Sequence, residues 1–315
     1  MSDYREIARK ITAQVNEHIL GKEEVVGEVM TAFLAGGNIL LEDIPGVGKT
    51  TMALLFARSM GLTWKRVQFT PDVMPSDLMG YSIYRKETGA FEYQKGTVFC
   101  NLLLADEINR TSPKTQSALL ETMQEKQVTV EGVTRRLEPP FLVVATQNPF
   151  GTAGTQPLPP AQMDRFMISM TVGYPDFESE VRMAKENSLE KTGVDCRPVT
   201  DRDSFLKMQG EVGQVFISDE VYRYLVEIVA STRNHAQIEQ GVSPRGTLAL
   251  TGMAKAAAWM AGRNFVTPED VAVQFPYVAT HRIQMEASAR IQGITKADVL
   301  KDILNRVRKP EPGRK

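Results

Sequence analysis

Three groups of residues have types and spacings suited to chemistry on a phosphate chain. The first is Asp43-Ile44-Pro45-Gly46-Val47-Gly48-Lys49-Thr50-Thr51. Gly46 and Gly48 let backbone N–H groups converge on phosphate oxygens with no side chain in the way. Lys49 can reach the outer phosphates, and the Thr50 hydroxyl can ligate Mg²⁺. The usual pattern opens with Gly, where this chain has Asp43. The second group is Asp106-Glu107. Asp106 suits a water-mediated Mg²⁺ contact, and Glu107 suits polarising an attacking water. The third is Asn148, whose amide could orient that water or touch a γ-phosphate. The chemistry implied is in-line attack of water on the γ-phosphorus, in which positioning and charge neutralisation dominate. A phosphate loop followed downstream by an acid pair is the order expected of a P-loop ATPase, so ATP and Mg²⁺ are the expected ligands.

These groups need rigid elements to hold them. The apolar residues 39–41 read as a buried strand entering the loop, and residues 52–59 as a helix leaving it. That helix would add the partial positive charge of its N-terminus. Residues 66–69, 102–105, 141–146 and 167–172 read as four further strands. Asp106-Glu107 and Asn148 then lie at strand C-terminal ends, where ligands collect in an α/β sheet. Two hairpins are expected, over 81–94 with a Thr88-Gly89 turn and over 127–137 with a Glu131-Gly132 turn. The first has little apolar mass and is expected to project.

Upstream, Ile7, Ile11, Val15 and Ile19 recur every four residues, predicting one helix that Gly21 ends. Val25, Val26, Val29, Met30, Phe33 and Leu34 predict a second, closed by Gly36-Gly37. The joint Ile19-Leu20-Gly21-Lys22 reads either as one wall of an adenine pocket or as a plain helix–helix turn. Tyr174-Pro175-Asp176 marks a boundary between an α/β nucleotide-binding domain, 1–174, and a helical lid domain, 175–315. In the second part a charged helix is expected over 176–190. Helix starts are expected at Thr200-Asp201-Arg202-Asp203 as a capping box, at Ser218, at Ser243-Pro244-Arg245 and at Thr267-Pro268-Glu269-Asp270.

Composition narrows the class. The 315 residues are 42% hydrophobic and 24% charged, with net charge −1, which is ordinary for a globular protein. No global field draws it to nucleic acid or anionic membrane. Cys100 and Cys196 imply no disulfide framework, and His18, His235 and His281 share no metal-like spacing. The polar start shows no signal peptide and no run approaches the ~20 apolar residues of a bilayer span, so a cytoplasmic location is expected.

The wording of the motifs resembles the MoxR family of AAA+ ATPases, in the helix-2-insert group. Leu40-Leu41-Glu42-Asp43-Ile44-Pro45-Gly46-Val47-Gly48-Lys49-Thr50 is similar to its Walker A loop, in which Asp at the first position is familiar. Ala105-Asp106-Glu107-Ile108-Asn109-Arg110 with Pro113-Lys114-Thr115-Gln116-Ser117-Ala118-Leu119-Leu120-Glu121 resembles its Walker B signature, and Ala145-Thr146-Gln147-Asn148-Pro149 its sensor 1. The likeness spans residues 7–283. It implies a five-stranded parallel sheet of order 5-1-4-3-2, with the two hairpins as the helix-2 insert and the pre-sensor-1 hairpin, and an all-helical lid. It implies nucleotide bound between protomers of a homo-oligomeric ring, most often a hexamer. Arg165 matches the arginine finger acting on the neighbour's nucleotide, and Arg245 matches sensor 2, acting in cis or in trans. Arg110 is either a further basic group at the interface or a salt bridge at a helix start.

The resemblance also implies a chaperone-like role in maturing protein complexes, with a von Willebrand A domain protein and a protein client as partners. Other readings are the motor subunit of a metal chelatase, a nucleotide-gated scaffold and a nucleic-acid motor. The intact acid pair speaks against the scaffold. The charge balance and the lack of a basic–aromatic cluster speak against nucleic acid.

Overall fold

Strand residues of this chain alternate between two separate apolar cores. Ile39, Leu41, Leu102, Leu104, Leu142 and Val144 point to one, and Leu40, Leu103, Ala105, Val143 and Ala145 to the other. That is the period of two that a sheet covered on both faces requires. The computed structural model describes residues 4–43, 46–148, 158–187 and 196–310.

The chain opens with helices α1 (Tyr4–Asn16) and α2 (Glu23–Leu34), then β1 (Ile39–Glu42) and α3 (Lys49–Ser59). Strand β2 (Trp64–Gln68) leads to the short α4 (Pro75–Met79) and a hairpin of β3 (Gly80–Arg85) and β4 (Ala90–Lys95). Strand β5 (Leu102–Asp106), a 3₁₀ turn at Ile108–Arg110 and α5 (Pro113–Glu125) follow. A second hairpin, β6 (Gln127–Val130) and β7 (Val133–Arg136), precedes β8 (Leu142–Gln147), the single turn α6 (Pro160–Met163) and β9 (Ile168–Met170). Beyond these come α7 (Phe177–Asn187), α8 (Arg202–Gly213), α9 (Asp219–Arg233), β10 (Ile238–Gln240), α10 (Pro244–Met260) and α11 (Pro268–Ala279). The last elements are β11 (Gln284–Met285), α12 (Ala287–Ile291) and α13 (Lys296–Arg306).

Strands β2, β5, β8, β1 and β9 form one parallel sheet in that spatial order. Renumbered along the chain as core strands, this is the expected 5-1-4-3-2. The register sets Glu42 beside Gln147 and Gln68 beside Asp106, so the loops after β1, β2, β5 and β8 share one edge.

The second core is closed by Leu119, Leu120 and Met123 of α5 and by Leu78 of α4. The first core runs without a break from the sheet through α1, α2 and α3 into α8, α9, α10 and α11. A Cβ built on Gly252 of α10 would stand 3.7 Å from the side chains of Ala35 and Met167. Apolar continuity therefore crosses the boundary expected at Tyr174-Pro175-Asp176 and ties the C-terminal helices to the N-terminal pair.

Three sequence expectations are corrected. Helix α1 stops at Asn16, so Ile19 lies in the turn after it, buried against the first core. The cap of α8 is Asp201, whose carboxylate accepts from the Ser204 N–H at 2.8 Å. Thr200 is drawn away because its own N–H donates to the Ser59 carbonyl at the end of α3. The C-terminal part is not all-helical, since β10 and β11 pair as an antiparallel ribbon. It is three residues against two, with no alternation for a sequence pattern to show.

The first hairpin projects, with Tyr84 and Phe91 exposed and packed edge to face. It is nevertheless linked to the second: Ser82 Oγ donates to Glu131 at 2.5 Å, and the Arg135 guanidinium stands 3.6 Å from the centre of the Tyr93 ring.

A candidate nucleotide site at the sheet edge

Helix α3 begins at Lys49 because Gly48 caps it at φ 86°, and Gly46 stands at φ 90°. Both angles lie in the left-handed region that glycine reaches freely. A Cβ built on Gly46 would meet nothing within 4 Å, so the space over the loop is open. On its other side the loop touches the α1–α2 joint, where Ile19 Cδ1 would lie 3.8 Å from a Gly48 Cβ. Lys49 Nζ donates to the Asp43 carbonyl at 3.0 Å. Burial lowers the Lys49 pKa, and the negative charges of Asp43, Asp106 and Glu107 oppose that shift.

The Asp43 carboxylate has a structural task that glycine could not perform. Its Oδ2 accepts the backbone N–H groups of Val172 at 2.7 Å and Gly173 at 2.6 Å. The phosphate loop is thus pinned to the chain leaving β9. Ile44 and Pro45 lie outside the described residues.

Asp106 ends β5 with one oxygen on each of two partners. Thr146 Oγ1 donates to Oδ1 at 2.6 Å, and Arg66 Nη2 to Oδ2 at 2.7 Å. Glu107 leaves the strand with φ 57°, a conformation uncommon for a residue with a Cβ. Its N–H donates to Thr146 Oγ1 at 2.8 Å. Its carboxylate accepts from Gln68 Nε2 at 3.0 Å and Arg110 Nη1 at 2.7 Å. Arg110 accordingly forms the salt bridge at a helix start. Asn148 follows β8, and its carbonyl accepts from Asn109 Nδ2 at 3.3 Å.

A cavity of about 370 Å³ gathers these groups. Asp43, Gly46, Gly48, Lys49, Thr50 and Thr51 line one side. Asp106, Glu107 and Asn148 line the other, with Arg66 and Gln68. Val47 packs against the first core. Sequence reading missed Arg66, Gln68 and Thr146. The signal for the first two was the alternation in β2, which puts Arg66 and Gln68 on one face at the strand's end. A larger cavity of about 640 Å³, near Glu227, His235 and Arg306, lies in the C-terminal helices. His235 and Arg306 of its lining both pair with the Asp302 carboxylate.

Arg165 and Arg245 are not part of the nucleotide cavity. Arg245 pairs with Asp164 instead. Arg245 Nη1 stands 3.5 Å from Asp164 Oδ2, and its Nη2 donates to Gln124 Oε1 at 3.3 Å. Arg165, the next residue after Asp164, is half-buried.

The donor chemistry fits a Mg²⁺–triphosphate. Thr50 and Asp106 offer hard oxygens, which suit Mg²⁺ bound mainly through phosphates and water. Among the described residues no cluster of His, Cys, Asp or Glu could hold a metal ion by itself. Also among them, no helix is long and apolar enough to cross a membrane.

Known proteins agree with this architecture. The family model described as "ATPase family associated with various cellular activities (AAA)" matches residues 38–168, and an AAA lid domain model matches 230–303. The uncharacterized protein YeaC of Bacillus subtilis is 43% identical over 98% of this chain and 96% of its own. Chaperone MoxR1 of Mycobacterium tuberculosis is 37% identical over 95% of this chain and 81% of its own. A crystal structure of a candidate ATPase from Cytophaga hutchinsonii superposes with TM-score 0.91 at 38% identity, covering 98% of this chain and 96% of that one. The chain belongs to the MoxR family of AAA+ ATPases, and it is an ATP hydrolase.

Proposed function

We propose that this protein hydrolyses Mg²⁺–ATP at sites shared between protomers of a homo-oligomeric ring, most simply a hexamer, and uses the energy for chaperone-like remodelling of a protein complex. The observation that carries the shared site is the separation of Arg165 and Arg245 from the cavity that holds Lys49, Asp106 and Glu107. An arginine finger and a sensor that do not reach their own nucleotide are suited to reach a neighbour's.

In this reading the loop from Asp43 to Thr51 and the N-terminus of α3 bind the phosphates. Thr50 and Asp106 would hold Mg²⁺, which supplies charge neutralisation on the phosphate chain. Lys49 offsets charge on the outer phosphates. Glu107 takes up the proton-accepting role toward the attacking water, and Asn148 fixes that water's direction. The joint at Ile19, which lies close to Gly48, would form one wall for the adenine. Arg165 and Arg245 of the adjoining protomer complete the charge around the transferring group. A finger supplied in this way is worth about 10³–10⁵ in rate.

The remodelling role is supported by the likeness to a relative named as a chaperone. A von Willebrand A domain protein is the partner class proposed, and a folded protein assembly the client. The test is the steady-state ATPase rate against protein concentration, with mass followed by light scattering in ATP and in ADP. Specific activity that climbs as a ring forms supports the shared site. A flat specific activity from a monodisperse monomer would overturn it.

A further inference from the structure

Arg282 belongs to the segment that follows α11, yet its guanidinium is buried in the backbone around Arg165. Only 2% of its side chain is exposed. Its Nε donates to Asp164 Oδ1 at 2.8 Å, and its Nη2 to the Asp164 carbonyl at 3.1 Å and to the Phe166 carbonyl. Its Nη1 donates to the Met167 carbonyl at 3.0 Å and to the Val278 carbonyl at 2.6 Å. The residues immediately before and after Arg165 are therefore held by one rigid fork. The neighbouring His281 ring stands 3.2 Å from the same Phe166 carbonyl. Ser243, the cap of α10, donates to both oxygens of Asp164 at 2.9 and 2.8 Å. The approach is close: a Cβ on Gly246 would fall 2.9 Å from Arg282 Cδ.

Burying a guanidinium is costly unless all its donors are used. Here, apart from the bond to Val278 on α11, they converge on the one turn that carries Arg165, whose own guanidinium forms no hydrogen bond or ion pair among the described residues. We propose that Arg282 is a positioning residue for ATP hydrolysis in the adjoining protomer: it fixes the base of Arg165 and so makes that finger answer to the lid of its own chain. This rests on the reading of Arg165 as a finger acting in trans. A finger whose base drifts by about 1 Å loses on the order of 10²-fold in rate, while the nucleotide cavity of the same chain, which Arg282 does not touch, keeps its affinity.

The experiment uses Arg282→Lys, which keeps the charge and the stem but cannot span the same set of acceptors. Ser243→Ala is a milder second variant on Asp164. Nucleotide affinity of the parent's size shows that each is folded, and Ser243→Ala carries the test if Arg282→Lys does not fold. The expected result is a kcat lowered on the order of 10²-fold for Arg282→Lys, less for Ser243→Ala, with the KM for ATP nearly unchanged. Mixing with excess Glu107→Gln subunits should then restore turnover, because those subunits supply an intact Arg165 to the variant's intact site. Arg165→Ala is mixed in parallel. If Arg165→Ala is rescued and the Arg282 and Ser243 variants are not, or if their kcat is unchanged, the role given to Arg282 is wrong. If Arg165→Ala itself is not rescued, the trans finger fails and the positioning role falls with it.

Discussion

The Asp43 carboxylate accepts the backbone N–H of Gly173 at 2.6 Å, joining the phosphate loop to the chain that leaves the sheet toward the lid. The same oxygen also takes the Val172 N–H. A glycine at this position would leave two N–H groups without their acceptor. Asp43→Gly should therefore lower stability by about 2–4 kcal/mol, from two charge-assisted bonds to groups shielded from water. ATP affinity should change less, because Lys49 bonds the Asp43 carbonyl, which glycine retains. Urea unfolding and nucleotide titration of the variant separate the two effects. A fully stable Asp43→Gly protein would remove the pinning role.

Lys49 and Glu107 line one cavity but are asked for different things. On the proposed reading, Lys49→Ala removes the cation that would meet the phosphates in ground state and transition state alike, so binding itself should weaken by roughly tenfold or more. Glu107→Gln keeps shape and hydrogen-bonding capacity but cannot accept a proton from water, so turnover should drop by roughly 10²–10⁴-fold with binding intact. Equilibrium binding of a fluorescent ATP analogue, set beside ATPase rate, distinguishes them. Lost binding in Glu107→Gln would make that residue structural.

Thr146 is fully buried and serves both acids at once, donating to Asp106 Oδ1 and accepting from the Glu107 N–H. Thr146→Val preserves volume but leaves the Glu107 amide unpaired where its backbone is already at φ 57°. The loss should be about 1–3 kcal/mol of local stability, and a kcat reduced by roughly 10–10²-fold through misplacement of Glu107. KM for ATP should stay within a few-fold, because the Thr146 hydroxyl is engaged with Asp106 and the Glu107 N–H. A proportional rise in KM would show that Thr146 supports binding instead.

How far the sequence revealed this site depends on whether a role is local. The roles proposed for Gly46, Gly48, Lys49 and Thr50 fall within one turn, so the order of these residues along the chain points to them. The five core strands were legible for the same reason, each being a short run such as Leu102-Leu103-Leu104 between turn residues. Arg66, Gln68 and Thr146 escaped because their roles exist only once β2, β5 and β8 are set side by side. Arg245 could be matched to a motif, but which nucleotide it faces depends on the pose of α10 against Asp164, and no spacing encodes that. Thr200 was misread as a cap because its N–H is claimed by Ser59, far away in sequence.

Glu28 gives the fold a pH dependence whose sign is fixed by burial. It lies on α2 and faces Gln274 of α11, whose Nε2 donates to Glu28 Oε1 at 3.0 Å. Glu28 Oε2 and Gln274 Oε1 are both buried without a hydrogen-bond partner. Burial raises the Glu28 pKa from 4.5 to about 7; the Gln274 bond opposes that and the charge of Glu24 adds to it. Below pH 4.5 the carboxyl is protonated in folded and unfolded chains alike, so it makes no difference to stability. Between 4.5 and about 7 the unfolded chain ionises while the folded one keeps its proton, and stability falls as pH rises. Above that range the loss levels off at about 3 kcal/mol. Glu28→Gln has no proton to lose. It should be more stable than the parent by about that amount near pH 8 and indistinguishable from it near pH 4.5. Urea midpoints across this range provide the check. A stability difference that stays constant with pH would show that Glu28 is ionised in the folded protein, with a counter-charge at the α2–α11 contact.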